Sequence, residues 1–332
     1  MPSSDDKMFR LVVPRGVERL DRWLANELPI SRSQLARLIK QGKVSVDGEP
    51  VYRGRRVLAG AVVEVELPSP PPTQLVAEDI PIDVLFEDDH LIVVNKRAGM
   101  VVHPSRGHDR GTLVNALLHR LGPAGQRPGE PGRPGVVHRL DKGTSGVLVV
   151  AKTQQALTHL AKQFAEHTSE REYLALVWGR PKQDAGTIDA PVGRHPKDRL
   201  RNAVVDGGRR AVTHWSVVGQ GTYGIAGNAK GGVVSLLRCR LETGRTHQIR
   251  VHLNHLGFPV LGDPLYGLRR RVKRLPAALL PVLGELDHQL LHARMLGFAH
   301  PKQERRLKYE APVPDDYRVV LQTLGIAYSQ TG

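Results

Sequence analysis

Gly135-Val136-Val137-His138-Arg139-Leu140-Asp141-Lys142-Gly143-Thr144-Ser145-Gly146-Val147-Leu148-Val149-Val150-Ala151-Lys152 is the stretch on which both fold and chemistry turn. Its first half is a polar, glycine-bearing loop; its second, Val147 to Ala151, is an apolar and mostly β-branched run that reads as a buried strand. A loop of reactive side chains feeding a buried strand holds those groups on a rigid edge. Taken alone, Asp141 reads more readily as a turn or capping aspartate than as a catalytic one.

Working outward, Thr153 opens an amphipathic helix whose stripe is Leu157, Leu160, Ala161, Phe164 and Ala165, and Ile249, Leu253 and Leu256 suggest another. Further strands are expected at Leu91 to Asn95, Tyr173 to Val177, Val212 to Val218 and Val233 to Leu241. Strands in runs, with few regular βαβ alternations, indicate an α+β domain with a mixed or antiparallel sheet over about 80–325. Gly122 to Gly135 and Gly219 to Gly232 are glycine-rich and read as surface loops. No internal repeat is visible.

Upstream lies a self-contained α/β pattern at 17–67. Leu20, Trp23, Leu24 and Leu28 recur at helical spacing. A second helix follows, with Ser31 and Gln34 spaced as a capping box, Leu35, Leu38 and Ile39 as its apolar stripe, and Gly42 at its stop. Val44-Ser45-Val46, the Asp47-Gly48 turn and the alternating Val63-Glu64-Val65-Glu66-Leu67 complete it. Arg32, Arg37, Lys40 and Lys43, with Arg53, Arg55 and Arg56, concentrate positive charge on and after the second helix, a density that favours contact with phosphates. Ser69-Pro70-Pro71-Pro72-Thr73, within 68–79, reads as a stiff linker between the two domains.

The 332 residues carry a net charge of +15, which points to a polyanionic partner, nucleic acid first, although charge alone does not separate specific binding from general solubility. Cys239 is the only cysteine, so no intrachain disulfide or thiolate zinc cluster is available, as suits a reducing cytoplasm. The start of the chain is polar and acidic, and no apolar run approaches a membrane span. His138, His247 and His252 lack the spacing of a metal set and read as packed or RNA-contacting. Neither a Gly-x-Ser-x-Gly turn nor a Gly-x-x-x-x-Gly-Lys phosphate loop is present.

Two resemblances add to this reading. Arg19-Leu20-Asp21-Arg22-Trp23-Leu24, Ser31-Arg32-Ser33-Gln34 and Ile39 to Gly48 resemble the S4 RNA-binding domain. The His138-Arg139-Leu140-Asp141 segment with its small-residue turn and Ala151-Lys152 strand end resembles the signature of the ribosomal large-subunit pseudouridine synthase family, in its subgroup with an N-terminal S4 domain. Leu91 to Lys96, Val102-His103-Pro104, Gly111 to Leu118, Arg171 to Gly179, Gly244 to Leu253 and Gly262-Asp263-Pro264-Leu265-Tyr266-Gly267 match in the same order. Departures are the two glycine-rich stretches and the basic Arg269-Arg270-Arg271-Val272-Lys273-Arg274.

The resemblance implies that Asp141 is the catalytic carboxylate, Tyr173 the aromatic that stacks on the base, and Arg250 the partner of Asp141. It implies that Arg139 enters the RNA stack when the uridine leaves it, with His138 and Ile249 also contacting substrate. It further implies action on a stem-loop of large-subunit ribosomal RNA, without cofactor or metal, since the isomerisation is redox-neutral; composition points to the cytoplasm, and a monomer is expected. A synthase acting on transfer RNA, and a non-catalytic RNA-binding or ribosome-assembly factor, are the alternatives; intact Asp141, Arg139, Tyr173 and Arg250 favour the enzyme.

Overall fold

The computed structural model describes residues 7–28, 32–52, 56–67, 75–104, 109–122, 135–225, 228–267, 280–284, 286–303 and 305–328. The expected linker at Ser69 to Thr73, the glycine-rich 123–134 and the basic run Arg269 to Arg274 lie outside them. The chain divides into two compact units, 1–74 and 75–332.

In the first unit β1 (Lys7–Val12), β2 (Val44–Val46), β3 (Glu49–Pro50) and β4 (Val62–Leu67) form an antiparallel sheet in the order β1-β4-β2-β3. Helices α1 (Leu20–Glu27) and α2 (Arg32–Lys40) bury Leu20, Leu24, Leu35, Leu38 and Ile39 against Val44, Val46, Val63 and Val65. The period of 3.6 on the helices and of 2 on the strands thus converge on one small core. The capping box expected at Ser31 and Gln34 falls on undescribed side chains, whereas Gly42 ends the helical segment at φ +70°.

The second unit is built on β5 (Asp83–Glu87), β6 (Leu91–Lys96), β7 (Gly135–Val136), β8 (Ser145–Ala151), β9 (Glu170–Trp178), β10 (Ala185–Asp189), β11 (Val192–Arg194), β12 (Asn202–Val204), β13 (Val212–Ile225), β14 (Asn228–Leu241), β15 (Leu291–Ala299) and β16 (Arg306–Glu310). The large sheet runs β10-β13-β14-β9-β15-β8-β6-β5, with β16 on β15 and β7 on β8; β11 and β12 pair separately. It is mixed, since β15 and β8 run parallel among otherwise antiparallel neighbours, and with few helices the class is α+β.

Strands β6 and β8 are buried on both faces over Leu91 to Val94 and Val147 to Ala151, which is why those runs are apolar instead of alternating. One face of the sheet packs on α3 (Leu113–Leu121) and α5 (Gln248–His255) through Leu113, Leu117, Ile249 and Leu253. The opposite face is covered by α4 (Gln154–Ala165), capped by Thr153, and by α7 (Asp315–Thr323) beyond the short α6 (Leu280–Leu283).

The described residues of Gly219 to Gly232 are not a loop as expected; they form the far ends of the paired strands β13 and β14. The strand expected to stop at Val218 passes a register shift between Val217 and Gly219 and continues. Its glycines serve close approach: a Cβ on Gly221 would lie 2.3 Å from the Leu324 carbonyl oxygen, and one on Gly219 would lie 2.7 Å from Ile326 Cγ2. The segment after α7 crosses the hairpin where these side chains are missing.

Candidate active site

Strand β8 begins beside β15, and the loop 137–144 delivers residues to that edge of the sheet. Gly146 takes φ +113°, and a Cβ there would sit 2.1 Å from the Ala293 carbonyl oxygen, so only glycine admits the β8–β15 pairing at this point. The Asp141 carbonyl accepts from Thr144 N–H at 3.0 Å, closing the turn. The same loop is pinned from below by Lys96, a wholly buried side chain that donates to the carbonyls of Met100 (2.8 Å), Arg97 (3.0 Å) and Lys142 (3.2 Å). Burial pushes the Lys96 ammonium down to about 7, while the charge of Asp141 acts in the opposite direction.

Asp141 is partly exposed at a cavity of about 550 Å³, whose walls include Arg139, Tyr173, Arg171, His247, Ile249 and Arg250. Arg250 Nη1 donates to Asp141 Oδ2 at 2.9 Å. The guanidinium is itself fixed by a two-pronged bond to the fully buried Asp263, from Nε to Oδ2 at 2.7 Å and from Nη2 to Oδ1 at 2.9 Å. Burial opposes the Arg250 charge, but the hydrogen bonds and charge of Asp263, with that of Asp141, outweigh it and hold the guanidinium ionised. Asp263 Oδ1 also accepts from Leu265 and Tyr266 N–H at 2.9 and 3.0 Å, so the buried carboxylate is fully engaged.

His247 caps α5 from the left-handed region at φ +60°, a strained conformation for a non-glycine residue. That conformation points the ring into the site: Nε2 lies 3.9 Å from Asp141 Oδ1 and Nδ1 bonds the Tyr266 hydroxyl at 2.9 Å. Burial holds the imidazole below its ordinary value against the pull of Asp141. The Tyr266 ring lies 5.0 Å from the Arg250 guanidinium and 5.2 Å from that of Arg201, and its hydroxyl accepts from Asn202 N–H at 2.8 Å. Tyr266 therefore joins the β11–β12 hairpin to the Asp141–Arg250 pair.

The sequence-derived residues fall into three groups. Asp141, Tyr173, Arg250, Ile249 and the exposed Arg139 line one cavity, with Tyr173 on β9 buried and its phenol raised by that burial. His138 also lines the cavity, but its Nε2 accepts from Val149 N–H at 3.0 Å, its ring stacks on Phe164 at 4.3 Å, and burial pushes it down to about 3. It is a neutral wall whose acceptor is already taken by the backbone. Arg37 and Lys40 are exposed on α2 in the other unit; Lys43 is bonded to Glu66, Arg56 pairs with Glu18, and the side chain of Arg32 lies outside the described residues.

His252 is a core histidine, with Nδ1 at 2.9 Å from Thr213 Oγ1 and Nε2 at 3.0 Å from the Ala190 carbonyl. Asp263, Tyr266 and Lys96 stood inside recognised segments without a role assigned to them. The pairing of Asp263 with Arg250 has no local signal, because a turn of irregular chain separates them.

Comparison with known proteins agrees with this geometry. The family model described as RNA pseudouridylate synthase matches residues 90–255, and that of the S4 domain matches residues 18–63. An uncharacterized RNA pseudouridine synthase of Chloroflexus aurantiacus is 49% identical over 317 residues, 95% of this chain and 93% of its own. Ribosomal large subunit pseudouridine synthase D of Pseudomonas aeruginosa is 42% identical over 312 residues, 93% of this chain and 92% of its own. The structure of human RNA pseudouridylate synthase domain containing 4 superposes with a TM-score of 0.55 at 25% identity, over 74% of this chain and 94% of that one.

Proposed function

The chain belongs to the RNA pseudouridylate synthase family, and on that premise we propose that it isomerises uridine within a stem-loop of large-subunit ribosomal RNA, with Asp141 as the catalytic carboxylate. The reaction breaks the bond from C1′ to N1, turns the uracil, and forms a bond from C1′ to C5. The hydrogen on C5 leaves as a proton and N1 gains one, so every other atom is retained and no redox partner takes part.

Three demands follow, and each has a candidate in the cavity. The base must leave its helix at a cost of a few kcal/mol, and the exposed Arg139 at the cavity mouth is suited to occupy the vacated place in the stack. The detached uracil must be retained, and stacking on Tyr173 would supply ~1–3 kcal/mol. Asp141 must stay ionised beside a flat apolar base, a task for the doubly anchored Arg250. Ile249 supplies an apolar wall and His138 a neutral one.

One observation carries the reading: Arg250 takes Oδ2 of Asp141 and leaves Oδ1 at the cavity, with only His247 near it among the described residues. The relatives named as large-subunit synthases supply the substrate class. That substrate assigns the work to the cytoplasm, and we expect a monomer.

The test is release of tritium from 5-tritiated uridine in unmodified large-subunit ribosomal RNA. Wild type should release it, and Asp141→Asn should lose activity by on the order of 10³-fold or more. Equal release by both proteins would remove Asp141 from the chemistry. Release from transfer RNA alone would move the substrate, and tight binding without release by wild type would favour an assembly factor.

A further inference from the structure

The face of the sheet opposite Tyr173 holds a second cavity, of about 470 Å³, among Ser169, Arg171, Glu172, Arg238, Arg240, Arg294 and Lys308. Alternation along β9 turns Tyr173, Ala175 and Val177 to one side and Glu172, Leu174 and Leu176 to the other. The buried carboxylate of Glu172 accepts from Arg294 Nη1 at 2.8 Å and Arg240 Nε at 3.1 Å, with Arg238 Nε at 3.5 Å. Arg294 and Lys308 share Glu310, at 3.1 and 3.4 Å, and Glu170 is occupied by Arg306. Arg171, Arg238, Arg240 and Lys308 line the cleft beside Glu172 and Glu310, which Arg294 also engages, so its cations outnumber these carboxylates.

Hydrogen bonding points the same way. Ser169 Oγ and Arg171 Nε are buried and lack a hydrogen-bond partner among the described residues, Arg238 Nε has only its long 3.5 Å contact with Glu172, and all three residues line this one cavity. Folded proteins satisfy nearly all such groups, so these under-satisfied donors, beside the exposed Arg240 and Lys308, favour an anionic, acceptor-only ligand. Arg171 and Leu241 line this cavity and the Asp141 cavity alike, so the two spaces adjoin at the edge of β9 and β14.

We propose that this cleft binds a phosphodiester of the substrate RNA, seating the strand that leads away from the uridine cavity. The inference rests on the RNA-modifying reading above and extends it to the opposite face of the sheet. A phosphodiester supplies charge and acceptors together, and continuity past Arg171 favours a phosphate already tethered to the bound nucleotide over a free one.

The experiment compares wild type with Arg240→Gln/Lys308→Gln, two exposed side chains whose loss leaves Arg294 on Glu172. Lys162→Gln/Arg318→Gln removes the same charge elsewhere, from exposed pairs with Glu166 and Asp315. RNA affinity is measured across a salt series, and tritium release at saturating RNA. The cleft variant should bind more weakly, with the slope of log affinity against log salt reduced by about 1, and its saturated rate should match wild type. The control pair should keep the wild-type slope.

Equal slopes and affinities for the two double variants would overturn the proposal. Displacement of inorganic phosphate by the variant substitutions, with no change in RNA binding, would make this a free-anion site and overturn the RNA assignment. Should wild type release no tritium while the cleft variant still loses RNA affinity, the modification reading falls and the phosphate contact stands. If the double variant melts early, Lys308→Gln alone, which disturbs only Glu310, carries the same slope test.

Discussion

Arg250 is the pivot at the residue scale, because one guanidinium serves two carboxylates of different burial. The bond to sealed Asp263 is structural, and breaking such a pair by removing one member costs about 3–5 kcal/mol. The bond to Asp141 faces the cavity, where we propose that it keeps the catalytic carboxylate ionised. Tyr266 supports both, and Tyr266→Phe keeps the ring beneath Arg250 while deleting the hydroxyl shared by Asn202 and His247. We expect a stability loss of about 1–2 kcal/mol and roughly a tenfold slower single turnover, with RNA affinity retained. A turnover equal to wild type would show that the Tyr266 hydroxyl has no bearing on Asp141. Asp141, Tyr173 and Arg250 were legible because each lies in a short, recognisable run; Asp263 and Tyr266 lay in such a run too, yet their partners are not neighbours in sequence.

At the scale of elements, the β13–β14 hairpin shows how glycine misleads a local reading. Gly221→Ala should destabilise the protein by about 1–3 kcal/mol, because the added Cβ meets backbone at Leu324, which the C-terminal segment must move to accommodate. Urea unfolding measures this, and an unchanged midpoint would mean that the segment moves freely. The second element-scale device is His288, whose Nε2 lies 2.8 Å from Asp316 Oδ2 in the first turn of α7 and whose Nδ1 lies 3.2 Å from Asp287. The Asp316 bond raises His288, and the same bond lowers Asp316. The His288 contribution is therefore complete below its unfolded value and lost as pH rises through the folded one; the Asp316 contribution is lost as pH falls through its own lowered value. The Tm deficit of His288→Gln should be largest between about pH 4 and 6.5 and shrink at higher pH. A deficit that grows toward alkaline pH would contradict this pairing.

For the whole molecule, each unit has its own core: Val13, Leu20, Leu35, Val44 and Val63 in the first, and clusters drawn only from residues beyond 75 in the second. Residues 75–332 alone should fold, with Tm within a few degrees of the full chain, and retain the saturated rate. They should bind RNA more weakly and with a shallower salt slope, since the exposed Arg37 and Lys40 are lost. Unchanged affinity and site choice would remove the RNA-binding role of the first unit. The sequence by itself determined the two-part organisation, the class of each part and the identity of β6, β8, β9 and α4, because burial imposes periods of 2 and 3.6 that are written into neighbouring residues. It carried the proposed roles of Asp141 and Tyr173 for a similar reason, through contiguous motifs. Only the tertiary structure decided that Arg250 is shared between Asp141 and Asp263, that glycines of a hairpin make room for the chain after α7, and that Glu172 gathers arginines behind Tyr173. Those contacts depend on the order β14-β9-β15-β8, which brings together residues as far apart as Asp141 and Arg250, and no local periodicity encodes the order of strands.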